Sequence, residues 1–326
     1  MSEKKINLSV IVPTHNRADA LELTLKKLAE QDFEENWEVI VVNNNCTDNT
    51  DEVVENSDFP VDLRLVYQSV PGASAARNAG ARIAEGDYLI FIDNDILCES
   101  DLLTKHFQAL RENPGAWIVG QVVNLPEQEN TIFGKYRKQL FPLVSPDESP
   151  REINGLTGQN VSMPRFDLEK LGGFDESFHV ASGEDQELSM RARSLLGTKV
   201  LLIPSILVVH NDWAGWTFRD FCIRQSKYAQ TEFLFWKKYG DQHPRLKLVM
   251  ENLPIDWKND FAKLKFRKIV KQILGYDLSQ TVLMNLSLLS EKVFPYDFVL
   301  WRLYKLTLTG AIHRGFREGV RIYAKK

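Results

Sequence analysis

Cysteine is scarce in this 326-residue chain. Cys46, Cys98 and Cys222 are odd in number and form no CxxC pair, so neither a disulfide framework nor a cysteine zinc site is indicated, and a reducing cytoplasm is the expected compartment. Long apolar runs are missing too. No stretch of about 18 apolar residues offers a membrane span, and the opening MSEKKINLSVIV runs straight into PTHNR, as a first core strand does and a secretory leader does not. Low-complexity tracts and internal repeats are absent. A hydrophobic content of 44% with 26% charged residues and a mean hydropathy of -0.27 exclude the disordered and fibrous classes. Neither GxGxxG nor GxxxxGK[ST] occurs, which removes the dinucleotide fingerprint and the Walker A loop.

What the chain has is a division of charge. Residues 1–210 carry 19 basic and 33 acidic side chains, whereas 211–326 carry 21 and 11, so the two parts are expected to meet different partners. Four β-rich runs, LSVIVP (8–13), WEVIVV (37–42), VDLRLVY (61–67) and DYLIFID (87–93), alternate with helical patterns. ADALELTLKKLAEQ, for example, sets Leu21, Leu25 and Leu28 on one face. Strands apolar on both faces and separated by helices predict an α/β fold with a mainly parallel central sheet, helices on both faces and ligands beyond the carboxyl ends of the strands. PTHNR, NNNCTDNT and DND each follow such a strand. Three polar clusters therefore share one edge. From about 117 the pattern is less regular, with WIVGQVV, a Pro-rich loop (FPLVSPDESPREINGLTGQN) and KVLLIPSILVVH. After His210 it turns helical and aromatic, which predicts a C-terminal helical appendage beyond residue 215.

Asp93-Asn94-Asp95 follows a strand, so alternation sends Asp93 and Asp95 to one side and Asn94 to the other. Two hard oxygen ligands on one side suit Mg2+ or Mn2+; the plain alternative is a solvated Asx turn. PGASAARNAG (71–80) opens a helix with small residues from Gly72 and presents Arg77 one turn in. A helix N-terminus with an arginine favours an anion, unless it is an ordinary small-residue helix start.

In this order SVIVPTHNR, VIVVNNNCTDNT, PGASAARNAGARIAEGDYLIFIDND and GGFDESFHVASGEDQELSMRAR resemble the family 2 glycosyltransferases of GT-A fold, over roughly 8–215. The resemblance implies a catalytic domain over 1–215, split into a nucleotide-binding half (1–116) and an acceptor-binding half (117–215), with a helical region at 216–326. It implies that Pro13, Thr14, His15 and Arg17 line the nucleoside pocket and that Asn43 and Asn45 lie beside the base. Gly72, Arg77, Asp93 and Asn94 would contact the nucleotide sugar, and Asp93 with Asp95 would hold Mn2+ or Mg2+. One departure stands out. Asn43-Asn44-Asn45 replaces the family's usual Asp-Asp or Asp-Asn, whose first Asp accepts the uracil N3 hydrogen. Asn43 can accept through its amide oxygen without charge assistance, and a UDP-sugar remains the expected donor. Asp48 reads as the N-cap of the next helix.

In GEDQEL the resemblance assigns Asp185 as the general base toward the acceptor hydroxyl and Glu184 as the group that orients it; either could simply cap the helix. His210, at the end of SILVVH, is expected either to complete the metal site or to close the diphosphate site through a hydrogen bond. Gly158 and Gln159 in GLTGQNVSM match the strand that floors the donor sugar, or form a plain turn. FAKLKFRKIVKQIL and the last 26 residues, with seven Lys or Arg against Glu318, fit either peripheral contact with the inner face of the cell membrane or a docked helical bundle. Nucleic acid is not an expected partner, given a net charge of -4 and no recognition motif. The expected activity is metal-dependent, inverting sugar transfer from a UDP-sugar to a hydroxyl of a glycan, polysaccharide or lipid-linked acceptor. A sugar-phosphate nucleotidyltransferase would show a Gly-rich loop where VPTHNR stands. A non-catalytic binding protein of the same fold has no need of Asp93, Asp95 and Asp185.

Overall fold

A computed structural model describes residues 5–142, 144–180, 182–212, 216–293, 295 and 297–324. In chain order the elements are β1 (Leu8–Thr14), α1 (Ala18–Ala29), β2 (Trp37–Asn43), α2 (Thr50–Glu55), β3 (Asp62–Tyr67), α3 (Ala73–Ile83), β4 (Tyr88–Ile92) and β5 (Ile96–Cys98). Then come α4 (Leu102–Glu112), β6 (Ala116–Asn124), α5 (Pro126–Glu129), α6 (Ile132–Leu140), β7 (Arg151–Glu152), β8 (Asn160–Pro164), α7 (Arg165–Leu171), α8 (Glu184–Leu196) and β9 (Lys199–His210). Among the described residues after β9 come the α-helices α9 (Phe218–Tyr239), α10 (Leu246–Asn252), α11 (Ala262–Gly275), α12 (Asp277–Val293) and α13 (Asp297–Tyr323), with a 3-10 turn at Gly240–Gln242.

The sheet runs β3-β2-β1-β4-β8-β6-β9-β5, with β7 on β9. β1 pairs in parallel with β2 and β4, and β2 with β3; β8 enters antiparallel between β4 and β6. Alternation along β1 divides the core. Leu8, Val10 and Val12 pack with Leu21, Leu25 and Leu28 of α1, whereas Ile11 faces Ala76 and Ala79 of α3. Helix α3 lies close because it carries Gly80, where a Cβ would stand 2.5 Å from Ile11 Cγ2.

Two compact units result: Met1–Leu125 with Pro142–Asp212, and Pro126–Phe141 with Trp213–Lys326. Helices α5 and α6 thus belong with the helical unit, although the sequence places them within the 117–215 half. The cause is aromatic: Phe133 and Tyr136 of α6 bury with Phe218, Phe221, Leu300 and Tyr304, and Phe218 stacks on Tyr304 at 3.8 Å. The boundary expected at Gly215 lies outside the described residues. Among the described residues no helix is long and apolar enough to cross a membrane.

Candidate active site

Three loops at the carboxyl edge of the sheet are tied to one another by their own side chains. After β1 the chain turns through Asn16 and Arg17, both at positive φ (59° and 72°). His15 Nδ1 meets the Asn44 carbonyl at 2.6 Å, and Asn16 Oδ1 accepts from the Thr47 amide. Asn44 donates to the carbonyls of Gln68 and Val70 and accepts from the Gly72 amide at 2.9 Å, pinning the entrance of α3. Asn45 donates to the Ser69 carbonyl. The amide of Asn43 is spent inside its own loop, accepting from Cys46 N–H and donating to Asp51. Asp48 accepts from the Ala18 amide as well as from Thr50, so it caps α1 in addition to bracing α2.

Beyond β4 the expected pairing of carboxylates does not form. The strand stops at Ile92 and the chain re-enters the sheet as β5 at Ile96, so residues 93–95 turn and the alternation of an extended strand does not apply. Asn94 donates to Thr14 Oγ1 at 2.7 Å. Asp93 and Asp95 serve different neighbours.

Asp93 belongs to a cluster around Arg77. The Arg77 side chain is 5% exposed and lies 3.0 Å from Glu184, 3.2 Å from Asp93 and 3.4 Å from Asp185. Burial opposes its charge, but the three carboxylates outweigh that and hold the guanidinium more firmly protonated than usual. Glu184 opens α8, where burial first and the charge of Asp185 second push its carboxyl up to about 8 against the pull of Arg77. Burial likewise raises Asp93. The space over Gly158, expected to admit a sugar, is taken by Arg77, whose Cζ would stand 2.5 Å from a Cβ there. The Gly158 amide donates to Asp185 Oδ2 at 2.8 Å, and the Gln159 carbonyl accepts from Asp93 N–H.

Asp95 belongs to a second cluster, built by β5 pairing antiparallel with β9, Ile96 opposite His210. The Asn211 amide donates to the Asp95 carbonyl at 2.7 Å. Asp95, His210 and Asp212, all buried, bring one ligand atom each to within 4.8 Å of one another. Arg17 spans the two carboxylates at 2.7 Å from Asp95 and 2.9 Å from Asp212. Burial works against ionisation of Asp95, yet His210 and Arg17 outweigh it and hold the carboxyl below the usual range. Asp95 Oδ1, 3.3 Å from His210 Nε2, is buried without a hydrogen bond. Two carboxylates, one of them with an orphaned buried oxygen, and an imidazole nitrogen fit a hard divalent cation. Asp212 is missing from the sequence reading, and a signal for it exists: His210-Asn211-Asp212 repeats the spacing of Asp93-Asn94-Asp95.

A buried polar group underlies this edge. His106 bonds Ser162 Oγ and Asn160 Oδ1, both at 2.8 Å, and burial depresses its pKa to about 4. Asn160 in turn reaches the Ile206 carbonyl on β9, and Gly120 leaves room for its amide.

A doubly covered, mainly parallel sheet with acidic clusters at its carboxyl edge places the chain among α/β proteins that bind ligands at that edge, and comparison with known proteins gives the family. The family model described as "Glycosyl transferase family 2" matches residues 9–172, and the chain belongs to that family. It is 32% identical over 213 residues to validoxylamine A glucosyltransferase of Streptomyces hygroscopicus subsp. jinggangensis, covering 56% of this chain and 50% of that relative. It is 28% identical over 245 residues to hyaluronan synthase of Pasteurella multocida, covering 64% of this chain and 25% of that one. The chain thus spans half or less of these relatives. Among solved structures, the mannosyltransferase PcManGT from Pyrobaculum calidifontis in complex with GDP-Man and Mn2+ gives a TM-score of 0.61 at 19% identity, over 99% of this chain and 89% of that one. S. aureus TarS 1–349 in complex with UDP-GlcNAc gives 0.53 at 16%, over 96% and 92%. These are likenesses of fold, and the fold is GT-A.

Proposed function

We propose that this chain transfers a sugar from a nucleoside diphosphate sugar, a UDP-sugar by preference, to a hydroxyl acceptor with inversion at the anomeric carbon. The observation that carries the reading is the buried Asp95–His210–Asp212 cluster, a cation site separate from the Asp185 carboxylate. A Mn2+ or Mg2+ ion held by those three residues would supply positive charge to the departing diphosphate. Arg17 marks the same demand for positive charge.

Asp185 takes the proton of the acceptor hydroxyl while its oxygen bonds to the anomeric carbon. The bond from that carbon to the diphosphate oxygen breaks, and its electron pair leaves with the nucleoside diphosphate. Arg77 lies 3.4 Å from Asp185, and the Gly158 amide at 2.8 Å fixes one of its oxygens. Glu184 orients the acceptor. Residues 1–116 hold the nucleotide over Pro13, Thr14 and His15, and the rest of the same compact unit, 117–125 with 142–212, receives the acceptor. Uridine rests on the resemblance and on the second lone pair of the Asn43 amide oxygen. TarS is in complex with UDP-GlcNAc and PcManGT with GDP-Man, so the fold accommodates either base. A lipid-linked or polysaccharide acceptor, met by a cytoplasmic enzyme at the inner membrane face, completes the proposal.

The test is a panel of radiolabelled UDP-, GDP- and dTDP-sugars with Mn2+. At least one should release free nucleoside diphosphate, and Asp185→Asn should bind that donor normally while losing rate by roughly 100- to 10,000-fold. No turnover of any donor by the wild type, or an unimpaired Asp185→Asn, overturns the reading.

A further inference from the structure

We propose that the helical unit docks on an anionic phospholipid surface along the outer ridge of α12, with lipid phosphate entering the cavity beside it. This rests on the reading above only in taking a membrane as the partner.

The ridge is unusual for a solvated helix. Leu278, Val282, Leu286, Leu289 and Val293 are 78%, 48%, 46%, 57% and 52% exposed, and their spacing of three or four residues stacks them on one side. Apart from Lys292 near its end, no charge interrupts that side. Phe266, Ile269 and Ile273 are likewise exposed on α11. A monomer in water rarely leaves so long a stripe uncovered. No described helix is long and apolar enough to span a bilayer, so such a stripe lies in the plane of the interface, its side chains at the acyl boundary.

Charge identifies the surface. Residues 257–306 hold nine basic and four acidic side chains, and Lys263, Lys292, Arg302 and Lys305 are exposed. A cavity of ≈ 600 Å³ between α9, α12 and α13 adds Arg219, Lys227 and Arg314, with Asp277 as its carboxylate. Arg314 meets Asp277 at 3.1 Å, which leaves two cations uncompensated by that acid. The α12 residues lining the cavity include Asp277, Thr281 and Asn285, each one position before a ridge residue. Cavity and ridge are therefore adjacent faces of one helix, so a phosphate in the first leaves its acyl chains along the second. A second copy of the chain is a poorer occupant, since a two-fold contact sets identical basic patches against each other.

Flotation of the full chain with vesicles tests this. Phosphatidylcholine containing phosphatidylglycerol should carry the protein up, and phosphatidylcholine alone should not. Val282→Glu with Leu286→Glu should abolish flotation, with Leu289→Ser as a milder second variant. Arg219→Gln and Lys227→Gln should each weaken partition roughly fivefold at low salt. The variants should keep wild-type melting and wild-type stabilisation by donor, so loss of transfer and loss of docking read out separately. Equal flotation with neutral vesicles, unimpaired flotation of the ridge variants, or a wild-type dimer that those variants split without vesicles would each overturn the proposal.

Discussion

Replacing Arg77 with methionine distinguishes a guanidinium reserved for the protein's own carboxylates from one kept for a substrate phosphate. Glu184, Asp93 and Asp185 lie 3.0, 3.2 and 3.4 Å from it, and it is 5% exposed. At an effective dielectric near 20 each such contact is worth about 5 kcal/mol in gross attraction. The net cost of removing one partner of a buried pair is smaller, about 3–5 kcal/mol. That is a large part of a domain's whole stability, about 5–15 kcal/mol. The deficit should also depend on pH with a definite sign. Glu184 and Asp93, already raised by burial with Arg77 in place, hold their protons to still higher pH without it. Their folded form is then favoured at low pH and loses stability as pH rises, by up to about 1.4 kcal/mol per unit and per group. Urea unfolding followed by tryptophan fluorescence at pH 8 and pH 5.5 should show a deficit of about 3 kcal/mol or more at the higher pH that shrinks at the lower. Arg77→Lys should fall between, because a point charge cannot reach three acids as a planar fork does. An Arg77→Met protein within about 1 kcal/mol of wild type at pH 8, or with the same deficit at both pH values, refutes the reasoning. It would return Arg77 to the diphosphate.

Two further tests address the cation site and the buried histidine. Asp212→Asn should weaken Mn2+ binding, measured by titration of the purified chain, by about tenfold or more, while Asp93→Asn should change it far less; the opposite order would restore the Asp93–Asp95 pair. His106 is held neutral, its folded pKa near 4 against 6.5 for the free side chain. Between those values only the unfolded chain gains the proton, so stability should drop as pH falls from 6.5 toward 4, by about 3 kcal/mol in all. His106→Gln should flatten that part of the stability profile, and an unchanged slope would show that the histidine takes its proton in place.

Elements whose cause is local could be read from the chain. LSVIVP, WEVIVV and DYLIFID carry the apolar signature of strands covered on both faces, VDLRLVY the more mixed pattern of the edge strand it forms, and each is a strand of the sheet. The polar residues after them reach one edge because parallel strands end there together. What escaped depends on distant partners. Strand β5 is three residues long and exists through its pairing with β9, so nothing near Asp95 itself points to Asp212; His210 is expected there through the family resemblance. Asp93 stays outside that group of three and pairs with Arg77. Helix α6 carries an ordinary amphipathic pattern, and only the arrival of Phe218 and Tyr304 decides which core receives Phe133.

The two arginines at the sheet edge explain how an acidic centre survives before any substrate binds. Five carboxylates, Asp93, Asp95, Glu184, Asp185 and Asp212, would repel one another without compensation. Arg77 neutralises its group from a 5% exposed position, backed by the Phe174 ring 5.5 Å from its Cζ, and is built in permanently. Arg17 neutralises the other from a side chain that is 36% exposed, on a residue in the left-handed region just before α1. A counter-ion with that much solvent access can leave at small cost when a divalent cation arrives, whereas Arg77 cannot. The division follows from burial alone: metal binding should displace Arg17 and leave the Arg77 cluster in place.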